Sequence, residues 1–118
     1  MERKEGDEHV KAYVEAKTME EVQQFIQTNQ FAFVYVSRVT CSVCHAVFPQ
    51  LQSLLEHEPS VSLIKVDADL IPTVAGEFSV FTVPVLLFFV DGKEMIRKAR
   101  FVVMDELAYQ IRQITSHY

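Results

Sequence analysis

Apolar positions along this 118-residue chain follow two rhythms, unbroken short runs and a helical three-four spacing. Phe31-Ala32-Phe33-Val34-Tyr35-Val36 is apolar throughout and bounded by polar residues, the pattern of a strand buried on both faces in a largely parallel sheet. Val61 to Val66 reads as another buried strand, and Pro84 to Val90 as a third apolar one. Between the first two runs, Cys44, Val47, Phe48, Leu51, Leu54 and Leu55 recur on one helical face and predict a helix to about His57. Pro49 lies inside it and has no amide to offer the carbonyl of His45, so a kink is expected there.

The remaining segments complete an alternating order. Val10, Ala12, Val14 and Ala16 alternate with polar or amphipathic neighbours and predict a short edge strand. Thr18 and Glu21 have capping-box spacing, so a helix is expected from Met19 to Thr28, closing near Asn29. Asp69 is a candidate cap for a short helix with Pro72 in its first turn, ending at Gly76 or Phe78. Asp91-Gly92 is a hairpin signal, returning the chain antiparallel from Lys93 to about Phe101. Met104, Leu107, Ala108, Ile111, Ile114 and Thr115 form a last helical stripe, with Asp105 and Glu106 near its positive end. The order β-α-β-α-β-α-β-β-α implies an α/β fold: a central mixed sheet flanked by helices on both faces.

Composition agrees with one packed domain. The chain is 49% hydrophobic, with nine Phe, four Tyr, three Gly and four Pro, and its length suits a single domain over residues 9–118. Residues 1–8 form a charged leader with no apolar run, expected to be a solvated tail and not a signal peptide. The longest apolar run, Val83 to Val90, is too short to cross a bilayer. A net charge of −5 without a basic block speaks against nucleic acid and anionic membrane as partners. A cytoplasmic, monomeric protein is thus the expectation, in a compartment where thiols stay reduced.

Cys41-Ser42-Val43-Cys44 stands where a buried strand passes into a helix. Free amides and the macrodipole at a helix start favour an anion, so a Cys41 thiolate should be stabilised. Cys44 is one turn away, on the apolar stripe, and is placed to attack a mixed disulfide on Cys41. Cys41 is therefore expected to attack and Cys44 to resolve. The competing reading is two core cysteines that happen to lie three apart.

With these residues in view, the chain resembles the thioredoxin family from about Val10 to His117. The carriers are the Cys41–Cys44 motif after a buried strand, Pro49, Thr82-Val83-Pro84, the Asp91-Gly92 hairpin and the terminal helix. The resemblance implies a thioredoxin fold, a cis peptide at Pro84 beside the sulfurs, and substrate contacts at Thr40, Val83 and Pro84. It implies a redox-active disulfide with no further cofactor, exchanging with disulfide-containing proteins and restored by a reductase or a small thiol.

Departures from the family pattern are equally specific. Its usual Trp-Cys-Gly-Pro-Cys is here Thr40-Cys41-Ser42-Val43-Cys44, so Ser42 and Val43 tune the pair differently. The buried family aspartate is matched by Tyr35, its lysine neighbour is assigned to Leu63, and a partner-facing glycine is matched by Arg100. A water or the Tyr35 hydroxyl then remains as the base for Cys44, although Tyr35 also reads simply as core. His45 would lower the Cys41 pKa if protonated beside it. The string Cys41-x-x-Cys44-His45 also fits haem attachment, but the patterning offers neither export nor a haem-wrapping helical fold. Zinc at the same three residues lacks a fourth ligand, since His9, His57 and His117 are scattered, and no metal is expected. Phe81 is a groove candidate or core. A different class, a thioredoxin-fold adaptor with a passive or regulatory cysteine pair, is the alternative.

Overall fold

A computed structural model describes residues 10–118; the charged leader at 1–8, its boundary and His9 lie outside the described residues. The described chain forms β1 (Val14–Glu15), α1 (Met19–Thr28), β2 (Phe31–Ser37), α2 (Ser42–Leu55), β3 (Ser62–Asp67), α3 (Thr73–Phe78), β4 (Val85–Val90), β5 (Lys93–Ala99) and α4 (Met104–Thr115). These strands form one sheet in the order β1-β3-β2-β4-β5. β1 and β2 run parallel to β3, whereas β4 is antiparallel to both β2 and β5. This is the thioredoxin fold anticipated from the sequence, with helices on both faces.

The unbroken apolar run of β2 is explained by its central place. Every residue from Phe31 to Ser37 is buried, and alternate side chains serve two cores. Ala32, Val34 and Val36 pack with Val22 and Ile26 of α1 and Val74 of α3. Phe33 and Tyr35 pack on the other side with Leu51 of α2 and Leu107 and Ile111 of α4. The hairpin after β4 closes in two residues, with Asp91 at φ 50° and Gly92 at φ 82°, the doubly left-handed turn its sequence signals.

Four local expectations are corrected. The strand expected from Val10 shrinks to Val14–Glu15, and both of its residues are exposed. The segment before it is held by side chains instead: Gln52 Nε2 donates to the Lys11 carbonyl at 3.0 Å, and the Tyr13 ring packs edge-on against Phe48. Asp69 does not cap α3, whose N-cap is Pro72, because Asp69 is drawn back by its amide to Asp67 Oδ1 at 2.9 Å. Glu21 takes the amide of Lys17, one residue earlier than a standard capping box, while Thr18 Oγ1 accepts from Glu21 as expected. β5 stops at Ala99, since Arg100 enters the left-handed region at φ 60° and turns the chain out of the ladder. Helix α2 continues unbroken through Pro49.

Candidate functional site

The pattern that builds this site is a central strand delivering its C-terminal end to a helix N-terminus. β2 ends at Ser37, a turn follows in which the Cys41 amide bonds the Arg38 carbonyl at 3.1 Å, and α2 begins at Ser42. Cys41 is thus the N-cap of α2, and its Sγ accepts the backbone amide of Cys44 at 3.1 Å. A sulfur takes the place usually filled by a serine or aspartate oxygen. Cys41 and Cys44 are joined as a disulfide, with their Cα atoms 5.3 Å apart. Cys44 is 2% exposed and belongs to the core face, whereas Cys41 keeps partial access to solvent.

The residues expected around the pair fall into three groups. Val83 meets the pair, its carbonyl oxygen lying 3.9 Å from Cys41 Sγ, and it is joined to the buried Pro84 by a cis peptide. Thr40 and Ser42 are exposed beside Cys41, and Val43 is half-buried against the α2–α4 core. His45 turns back to the preceding loop, its Nε2 lying 2.6 Å from the Val39 carbonyl oxygen. A carbonyl only accepts, so that ring nitrogen carries the hydrogen and His45 ties the loop to the helix.

Tyr35 is wholly buried, and its hydroxyl donates to the Cys44 carbonyl at 2.6 Å. The phenol proton therefore points at a backbone oxygen, not at Sγ. Burial also pushes the phenol pKa well up, so the hydroxyl stays protonated at neutral pH. The assignment of the family's lysine to Leu63 is corrected by the register. Leu63 pairs with Phe33, and the residue across from Tyr35 is Lys65, whose ammonium lies 4.7 Å from the Phe48 ring centre. A cleft of about 50 Å³ is lined by Cys44, with Glu15, Arg38, Lys65 and Asp67 as its charged groups. The cleft escaped the sequence reading because its walls come from β1, β2, β3 and α2, and no local pattern joins them. Among the described residues, no group of three His, Cys, Asp or Glu side chains is placed to hold a metal ion.

A disulfide capping a helix at the end of a central strand, beside a cis-proline loop, defines a thioredoxin-fold dithiol–disulfide domain. The thioredoxin family model matches residues 11–113, and the chain belongs to that family. Among curated relatives, the thioredoxin-like protein YdfQ of Bacillus subtilis is 46% identical over 97 residues, covering 82% of this chain and 87% of that protein. Thioredoxin of Chlamydia trachomatis is 36% identical over 77 residues, 65% of this chain and 72% of its own. The fold matches the crystal structure of thioredoxin from Trypanosoma brucei brucei with a TM-score of 0.79 at 18% identity, over 98% of this chain and 99% of that one. Family membership and a bonded Cys41–Cys44 pair together support thiol–disulfide oxidoreductase activity in general. No helix among the described residues is long and apolar enough to cross a membrane.

Proposed function

We propose that this chain reduces disulfides in protein substrates, with Cys41 as the attacking thiolate and Cys44 as the resolving thiol. The observation that carries the reading is the Cys44 amide hydrogen-bonded to Cys41 Sγ at the start of α2. The same amide and the helix dipole stabilise a negative sulfur once the disulfide is opened. Cys41 thiolate forms a bond to one substrate sulfur, and the other leaves as a thiolate that takes a proton from solvent. Cys44 then attacks Cys41 Sγ, releasing the second substrate thiolate and closing the Cys41–Cys44 disulfide. Two electrons pass from the protein dithiol to the substrate, and a reductase or small thiol restores them. A reducing compartment such as the cytoplasm supplies that reductant.

Burial supports this division of labour. The partly exposed Cys41 is reachable by a large substrate, whereas Cys44 at 2% exposure is reachable only by Cys41. A substrate segment would rest on the exposed Thr40 and the half-buried Val83, with the buried Pro84 fixing the Val83 backbone beneath it. The cleft lined by Cys44 also carries Glu15, Arg38, Lys65 and Asp67, polar groups toward which the Cys44 proton would leave in place of the Tyr35 hydroxyl.

The test is insulin-disulfide reduction together with a Cys44→Ser variant. Turnover by the wild type and mixed disulfides accumulating on Cys41 of the variant are the expected results. An adaptor with a passive cysteine pair would give neither, and that outcome would overturn the proposal. Alkylation of reduced Cys41 as a function of pH provides a second check, since its thiol pKa should lie below the ~8.5 of a free cysteine.

A further inference from the structure

One cation stands beside the reactive sulfur and, among the described residues, forms no ion pair with an acid. Arg100 Nη1 donates to the Val83 carbonyl at 3.2 Å, and that same oxygen lies 3.9 Å from Cys41 Sγ. The guanidinium is held there by its backbone. The Arg100 amide bonds the Pro84 carbonyl at 2.8 Å, and its φ of 60° turns the chain so that the side chain reaches back over the Val83–Pro84 loop. The Phe101 ring flanks the guanidinium at 5.6 Å. Among the described residues, the ion pairs join Arg38 to Asp69, Arg97 to Glu94, Lys98 to Glu106 and Arg112 to Glu58; none includes Arg100. Among the described residues, the hydrogen-bond acceptor of this guanidinium is a neutral carbonyl and not a carboxylate.

The surface around it is apolar and open. Phe81 is 89% exposed and Phe101 82%, and they stand on the two loops that meet at Val83–Pro84. A guanidinium flanked by the exposed Phe101 ring, one carbonyl away from the exchanging sulfur, is complementary to a carboxylate with apolar neighbours. We infer that Arg100 is a specificity residue which selects substrate segments carrying Asp or Glu next to the disulfide cysteine that Cys41 attacks. On such a segment the guanidinium leaves the Val83 carbonyl for the carboxylate, exchanging a neutral acceptor for a charged one. The inference rests on the disulfide-reductase reading above and adds the chemistry of the preferred substrate.

The experiment uses fully reduced protein in single turnover, so no external reductant is needed. Its probes are symmetric disulfide-linked dimers of one short peptide with Asp, Asn or Lys beside the cysteine. Rates are compared between wild type and Arg100→Gln for each probe, which cancels intrinsic differences in disulfide reactivity. The expected result is a loss of about five-fold on the Asp probe, little change on Asn, and a gain on Lys. The Asp effect should shrink at high salt and be partly rescued in Arg100→Lys. Arg100→Gly, which suits the left-handed backbone, should repeat the Arg100→Gln pattern and exclude misfolding as the cause. An equal loss on all three probes would mean that Arg100 acts only on Cys41, and no loss on any would mean that it does neither; both overturn the inference while leaving reductase function intact. Failure of the wild type to reduce any probe would instead overturn the reductase reading itself, and this inference with it.

Discussion

Replacing Tyr35 by Phe removes one oxygen and keeps the ring, which is wholly buried and packs 4.9 Å from the Phe48 ring centre. No cavity forms, so the cost at neutral pH is the lost bond to the Cys44 carbonyl, about 1 kcal/mol, or a Tm lower by roughly 3–6 °C. The difference should then depend on pH in a defined direction. In the unfolded chain tyrosine ionises near ~10, while burial pushes the Tyr35 pKa up in the fold. Above pH ~10 the unfolded state releases a proton that the native state keeps, so wild-type stability falls by up to about 1.4 kcal/mol per pH unit from this group. Tyr35→Phe lacks that loss, and its deficit should vanish near pH ~11. Other titrating groups, including Lys11, whose pKa burial lowers, act alike in both proteins and cancel in the comparison. Urea unfolding of the oxidised forms at neutral and alkaline pH measures the difference. A gap that stays constant to pH ~11 would refute the buried-donor assignment. Single-turnover disulfide reduction should change less than about three-fold, and a loss beyond about ten-fold with the stability change as stated would make the hydroxyl part of the chemistry.

Further perturbations test the frame that holds the site. Thr18→Ala removes the oxygen that accepts the Glu21 amide and should cost about 1 kcal/mol in denaturant unfolding. Leu107→Ala empties a fully buried position of α4 and should cost about 2–5 kcal/mol, lowering Tm without changing the Cys41 alkylation profile of the remaining native protein. Gly92→Ala forces a Cβ onto a φ of 82° and should lose about 1 kcal/mol by the same measurement. The hydrogen bond from Arg97 holds the Glu94 pKa below its usual value, so this pair contributes stability above pH ~4.5 that fades as the pH falls. Because both side chains are about a third exposed, Glu94→Gln should flatten the acid limb of a stability–pH curve by less than about 1 kcal/mol.

What could be read along the chain were the features that depend on near neighbours. Apolar runs marked β2 and β4 because a doubly buried strand has no polar face to show, whereas β3 keeps Ser62, Lys65 and Asp67 only partly buried. Three-four spacing marked α2 and α4, capping-box spacing marked α1, and Asp91-Gly92 marked the hairpin, because rotation per residue, first-turn hydrogen bonds and permitted φ are local properties. The cysteine spacing at a strand–helix junction marked the redox pair for the same reason, since an N-cap sulfur is placed by its own first turn. Other features were settled only when distant segments met. Tyr35 faces Lys65 and not a residue two positions away because sheet register answers to packing on both faces at once. Residues 10–13 remained outside the sheet because side chains from α2 hold them. Arg100 reaches the Val83 carbonyl through a left-handed turn at the end of an edge strand, and no periodicity announces such a contact. Sequence alone determined the elements and the reactive sulfurs, whose causes lie within a few residues. The surroundings of those sulfurs were decided by tertiary structure, because their bonds join residues tens of positions apart and exist only once the sheet has closed.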